Sequence, residues 1–108
     1  MSNSIQAQRQ TTQTLTANQV DLINMTAPGE SIIVTNINAL APIYFTVDKP
    51  GGPCLAPAVG SGNWYSVGAG AGTRVSVRHD GMYGSIVQLI SSASVQYSVE
   101  VGSRQVNV

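Results

Sequence analysis

The sequence predicts an all-β domain, an antiparallel β-sandwich of the jelly-roll or Ig-like kind with about seven or eight short strands. Three observations carry that prediction. Residue character alternates at every step along Val95-Gln96-Tyr97-Ser98-Val99-Glu100-Val101, and again along Thr73-Arg74-Val75-Ser76-Val77-Arg78. The two-residue side-chain period of a strand therefore gathers Val95, Tyr97, Val99 and Val101 on one face. Apolar, β-branched runs recur about every 8 to 12 residues with turn chemistry between most of them. No segment sustains the 3.6-residue period of a helix. A chain of 108 residues is enough for one core and too short for two.

In chain order, residues 1–13 are rich in Gln and Thr, with Ile5 as their one sizeable apolar side chain. Such a segment cannot bury enough carbon surface to offset its ordering entropy, so it reads as an extended N-terminal arm ahead of a sandwich domain at residues 14–108. An arm of this kind is held by a neighbouring subunit or another protein, or else pairs along its own domain. Residues 14–23 read as the first strand, with Leu15, Ala17, Val20 and Leu22 inward and a bulge hinted at Asn18-Gln19. Pro28-Gly29 turns the chain. Residues 31–37 and 43–48 read as strands two and three of a hairpin, Ile43, Phe45 and Val47 sharing one face.

From Lys49 to Thr73 the Pro and Gly content demands loop, with a short strand at residues 63–67 carrying Trp64 and Tyr65. Thr73 to Arg78 returns to alternation, Val75 and Val77 inward and both arginines outward. His79-Asp80-Gly81-Met82-Tyr83-Gly84 reads as the next turn. The apolar run Ser85-Ile86-Val87-Gln88-Leu89-Ile90 suits a strand covered on both faces, and it forms a C-terminal hairpin with residues 95–101 through Ser91-Ser92-Ala93-Ser94. A short tail follows Gly102.

Five basic and five acidic side chains give a formal charge of zero. Ordinary domains carry about a quarter charged residues, so this surface must be covered by uncharged polar groups. That suits faces spent on contacts with other subunits; the alternative is a monomer with a neutral polar coat. No basic cluster exists to bind phosphates, which argues against nucleic acid. Neither a secretory signal nor a membrane span is expected from the pattern, and the chain reads as one made in the cytoplasm.

No cofactor, metal or catalytic residue is expected. The single histidine, His79, has no nucleophile motif to serve, and one Cys with one His falls short of a zinc site. Gly68-Ala69-Gly70-Ala71-Gly72 resembles a phosphate loop only in its glycines. Asn24-Met25-Thr26 fits the glycosylation pattern but has no secretory route to give it meaning. Cys54 reads as an inert packed thiol. Trp64 and Tyr65 could be core, a subunit interface or a stacking platform for a ligand.

At Ile43-Tyr44-Phe45-Thr46-Val47-Asp48, and again at Gln88-Leu89-Ile90-Ser91-Ser92 followed by Tyr97-Ser98-Val99-Glu100, the chain resembles small β-rich virion structural proteins of tailed actinobacterial bacteriophages. The resemblance spans roughly residues 31–101 and implies a non-enzymatic capsid decoration or cement protein. Such a protein sits on the outer capsid surface of the virion, as a homo-oligomer, a trimer, bound to the major capsid protein. Ile5, Arg9, Leu15, Trp64 and Tyr65 are the expected partner contacts. A tail, collar or baseplate component is the first alternative, and a carbohydrate-binding module for host adsorption the second.

Overall fold

The computed structural model describes residues 3–37, 41–52, 54–60 and 64–102. What was expected of 38–40, of 61–63 and of the tail at 103–108 lies outside the described residues. Among the described residues the chain forms nine strands and no helix: β1 (Asn3–Ala7), β2 (Gln10–Thr14), β3 (Asp21–Met25), β4 (Gly29–Asn36), β5 (Ile43–Asp48), β6 (Tyr65–Val67), β7 (Thr73–Gly81), β8 (Ser85–Ile90) and β9 (Gln96–Gly102). They make a five-stranded sheet in the order β1-β3-β8-β5-β6 and a four-stranded sheet in the order β2-β9-β4-β7. Every pairing is antiparallel except that of β1 with β3. The all-β, two-sheet architecture is the one the alternation predicts.

The connections differ from expectation. Of the eight steps along the chain, only β5 to β6 stays within one sheet; the other seven cross to the opposite one. Neither expected hairpin exists. Strand β4 pairs with β7 and β9 while β5 pairs with β6 and β8, and β8 and β9 lie in different sheets. The physical reason is that side-chain alternation specifies which face of a strand is buried and carries no information on which strand lies beside it.

The predicted first strand at 14–23 is two strand ends joined by a turn. Asn18 sits in the left-handed region at φ 61°, a conformation Asn tolerates better than most residues. The turn resets the phase: Leu15 is fully buried and Ala17 exposed, while Asp21, Ile23 and Met25 are the inward residues of β3. The suspected arm is also part of the sandwich. Residues 3–7 pair in parallel with β3 and residues 10–14 pair with β9. Val101 N donates to Arg9 O at 2.8 Å and Ala27 N to Gln8 O at 3.1 Å, which ties the link between β1 and β2 to both sheets. Backbone pairing along two sheet edges supplies the order that the segment's own carbon surface cannot.

The core lies between the sheets, built from Ile23, Met25, Phe45, Val87 and Leu89 on one side and Ile32, Val34, Tyr97 and Val99 on the other. At one pole buried polar side chains hold the crossings. Asn36 Nδ2 donates to Ala41 O at 3.0 Å and to Gly68 O at 3.2 Å, and Ser91 Oγ donates to Pro42 O at 2.9 Å. The expectation that β8 is covered on both faces is met: Gln88 and Ile90, on the side away from the core, are 7% and 8% exposed. On the neighbouring strand Thr46 Oγ1 donates to Leu55 O at 2.6 Å and Leu55 N to Asp48 Oδ2 at 3.0 Å. These bonds tie the long loop to the outer side of the sheet.

One polar contact spans the apolar interior. Tyr97 Oη, from the four-stranded sheet, donates to Asp21 Oδ2 of the five-stranded sheet at 2.7 Å, with the residues 0% and 1% exposed. Burial first, then the hydrogen bond and the charge of Asp21, push the Tyr97 phenol far above its ordinary value of 10.0. The folded protein holds that proton more tightly than the unfolded chain. This contribution to stability is therefore complete below about pH 10 and declines as the pH rises beyond it. Tyr97→Phe takes a donor from a buried carboxylate and should cost about 1 to 3 kcal/mol in urea unfolding at neutral pH. The same variant should lose less stability than the wild type between neutral and strongly alkaline pH. Equal stability of the two proteins at neutral pH would show the contact to be incidental.

Candidate functional site

The two most exposed of the large apolar side chains described sit together at the pole opposite the Asn36 and Ser91 crossings. Tyr83 is 86% exposed and Met82 64%, both in the turn between β7 and β8. Turn residues are ordinarily polar, and two large apolar groups at a tip place carbon surface in water with no folding gain. The base of the tip is closely packed. Gly84 has φ 102°, and a Cβ there would come within 2.7 Å of Met25 O. A Cβ at Gly81 would meet Ser85 Oγ at 2.7 Å and Gly29 O at 3.1 Å. Both glycines are thus required by close backbone approach. Gly84 N donates to Gly81 O at 3.0 Å and Met82 N to Asp80 Oδ1 at 3.4 Å, which closes the turn.

Lys49 and Pro50, at the end of β5, flank the tip and line with Asp80, Met82, Tyr83 and Gly84 a hollow of about 140 Å³. A second hollow, of about 190 Å³, lies on the other side of Asp80 among Glu30, Arg78 and His79. The whole pole therefore presents an aromatic and a thioether flanked by one lysine, with carboxylates and an imidazole behind. Among the described residues no group of three or more His, Cys, Asp and Glu side chains is placed to hold a metal ion.

The residues singled out from sequence are scattered. Ile5 is half-buried and packs against the core from β1, and Leu15 is fully buried. Leu15 cannot be a partner contact, because no surface of it is left to offer. Arg9 is exposed on the link at the sheet edges. Trp64 is half-buried, its Nε1 buried without a hydrogen-bond partner. Tyr65 is 49% exposed, its ring stacked at 5.4 Å on the buried Phe45. Trp64 and Tyr65 do come together, with Phe45, Thr46, Asp48 and Leu55, around an open groove of about 430 Å³. Cys54 is exposed, contrary to the packed thiol expected.

The sequence reading missed Met82 and Tyr83. The signal was present: Asp80-Gly81 marks a tight turn, and two large apolar side chains immediately after it are out of place unless something else covers them.

No protein-family model and no curated protein matches the chain. Among solved structures it is similar to the crystal structure of PliG from Aeromonas hydrophila, a periplasmic inhibitor of g-type lysozyme. The TM-score is 0.50 at 15% identity, over 94% of this chain and 96% of that one. At such identity the likeness shows a shared fold. It overturns the expectation of a capsid decoration protein on the virion surface, together with its tail and carbohydrate-binding alternatives. This solved structure, matched over 94% of the chain, is a periplasmic enzyme inhibitor and no virion protein. That neighbour is itself not an enzyme but an inhibitor of one, which is compatible with a non-catalytic chain.

His79 reports on the electrostatics of the pole. Desolvation by burial, then the charge of Lys49, lower its pKa from 6.5, while Asp80 and Asp48 raise it. Its Nε2 is buried without a hydrogen-bond partner, so protonation there gains no acceptor. The neutral form favours the fold, and this contribution declines as the pH drops below about 6.5, levelling off once folded His79 is protonated. Because the chain has one histidine, NMR titration of its ring protons is unambiguous. The midpoint should lie below 6.5, rise in Lys49→Ala and fall in Asp80→Asn. A midpoint indifferent to both substitutions would separate His79 from this pole.

Proposed function

We propose that the chain is a non-catalytic protein-binding domain that inserts its Met82–Tyr83 tip into the concave surface of a partner protein, acting as an inhibitor of a glycan-cleaving enzyme of the lysozyme class outside the cytoplasm. The observation that carries the reading is the 86% exposure of Tyr83 on a turn whose backbone is fixed. A convex tip suits a partner's cleft, as a cleft suits a small ligand. Tyr and Met supply large contact area, and a pre-set turn loses little freedom on docking, so that most of the buried area counts toward affinity. Lys49 beside the tip adds a cation, and clefts that cleave glycans carry catalytic carboxylates. The shared fold with a g-type lysozyme inhibitor supplies the first partner to try.

Purified protein titrated into g-type lysozyme should suppress lysis of peptidoglycan at near-stoichiometric amounts. Tyr83→Ala should weaken this at least about tenfold and Met82→Ala less, with unfolding midpoints within error of wild type, because neither side chain packs on the core. Lysozymes of the other classes serve as the comparison for selectivity. Undiminished lysis by every class at large excess of the protein would sink the inhibitor reading.

A further inference from the structure

We infer that Met82 is an oxidation site, at which hydrogen peroxide turns the thioether of the tip into a sulfoxide and so weakens its grip on a partner. The weakened grip rests on the docking role proposed for the tip; the oxidation itself does not. The chain has three methionines. Met25, on β3, is 0% exposed and packed in the core between the sheets, whereas Met82 is 64% exposed in the turn between β7 and β8. Met1 lies outside the described residues. Peroxide must reach the sulfur, and susceptibility to oxidation follows exposure. Of the two described methionines, the fold screens one and offers the other.

In the oxidation a lone pair on Sδ takes one oxygen of the peroxide, the O–O bond breaks, an S–O bond forms and water leaves. The thioether is oxidised and the peroxide reduced. A flexible apolar end becomes a polar, chiral one. Its new acceptor oxygen lies on a surface that must lose water when it enters a cleft, and burying a polar group without a partner is costly. The turn that presents the side chain is held by other groups: Met82 N donates to Asp80 Oδ1 and Gly84 N to Gly81 O. Oxidation therefore alters the contact surface and leaves the turn in place. Tyr83 has no sulfur to oxidise, so docking weakens without vanishing. A leucine would supply similar apolar area and be inert to peroxide; the thioether is what makes this contact sensitive. Cys54, an exposed thiol on the long loop, is not among the residues of the hollow beside the tip.

The test uses the full chain in a Cys54→Ser background, so that methionine holds the only sulfur left to oxidise. Hydrogen peroxide acting on the folded protein should add one oxygen to the peptide carrying Met82 and leave the peptide carrying Met25 unmodified. In urea the two should be modified alike. Against g-type lysozyme the oxidised protein should suppress lysis about fivefold less well than its own untreated sample, or worse. Methionine sulfoxide reductases acting on both epimers, with a thiol reductant, should restore it. Met82→Leu, whatever its own potency, should show no such difference between treated and untreated samples, and oxidation should leave the circular dichroism and the urea midpoint of each protein unchanged. Met25 modified as fast as Met82 in the folded protein overturns the inference. So does a Met82 sulfoxide that suppresses lysis as well as the thioether, a result that leaves the inhibitor reading standing. Untreated protein that suppresses no lysis overturns the inhibitor reading and the loss on oxidation with it, while selective modification of Met82 is decided by mass alone.

Discussion

The hydrogen bond from Tyr97 to Asp21 fixes how the two sheets face each other, and the rest of the sandwich is arranged to keep that bond dry. A buried carboxylate is costly unless it is hydrogen-bonded, so the pair is tolerated only where β9 and β3 keep one register. A slip of β9 by one residue would turn Tyr97 to the outer face and leave Gln96 or Ser98 in the core. The contact matters more here than in a fold made of hairpins. Seven of the eight connections cross between sheets, so each sheet is assembled from strands far apart in sequence. Long-range pairing of this kind pays loop-closure entropy before its contacts form, which places such folds among the slower small domains.

The faces of the strands were legible in the sequence and their neighbours were not. Val95, Tyr97 and Val99 are buried as their alternation requires, and β8 is covered on both sides as its unbroken apolar run requires. The partners escaped because one alternating strand is as good as another to a neighbouring strand. Ser91-Ser92-Ala93-Ser94 could turn a hairpin or carry the chain across the sandwich; here β8 and β9 pair in different sheets, and the Ser91 Oγ bond to Pro42 O is one of the tertiary contacts at that crossing. The N-terminal segment fails for a related reason. Its Gln and Thr side chains bury little, but β1 and β2 are held by backbone bonds to β3 and β9, a term invisible to composition. Leu15 is buried as read, but Ala17 and Leu22 were assigned to the wrong face because the turn at Asn18 lies between them. Counting in twos across a turn loses the phase.

The same distinction separates the two aromatic regions. Trp64 and Tyr65 drew attention as aromatics in a glycine-rich loop, yet Trp64 is half-buried and Tyr65 leans on Phe45. Much of their surface is already used in fixing the short β6 edge. Tyr83 was passed over inside a turn motif, and it has little contact with its own domain. What sets the tip apart is large apolar area combined with a closely packed turn and no side-chain partner in its own domain. The tip meets all three conditions, since Gly81 and Gly84 allow no side chain where the turn packs on Met25 O and Ser85. Sequence reports the first condition; the other two need the fold.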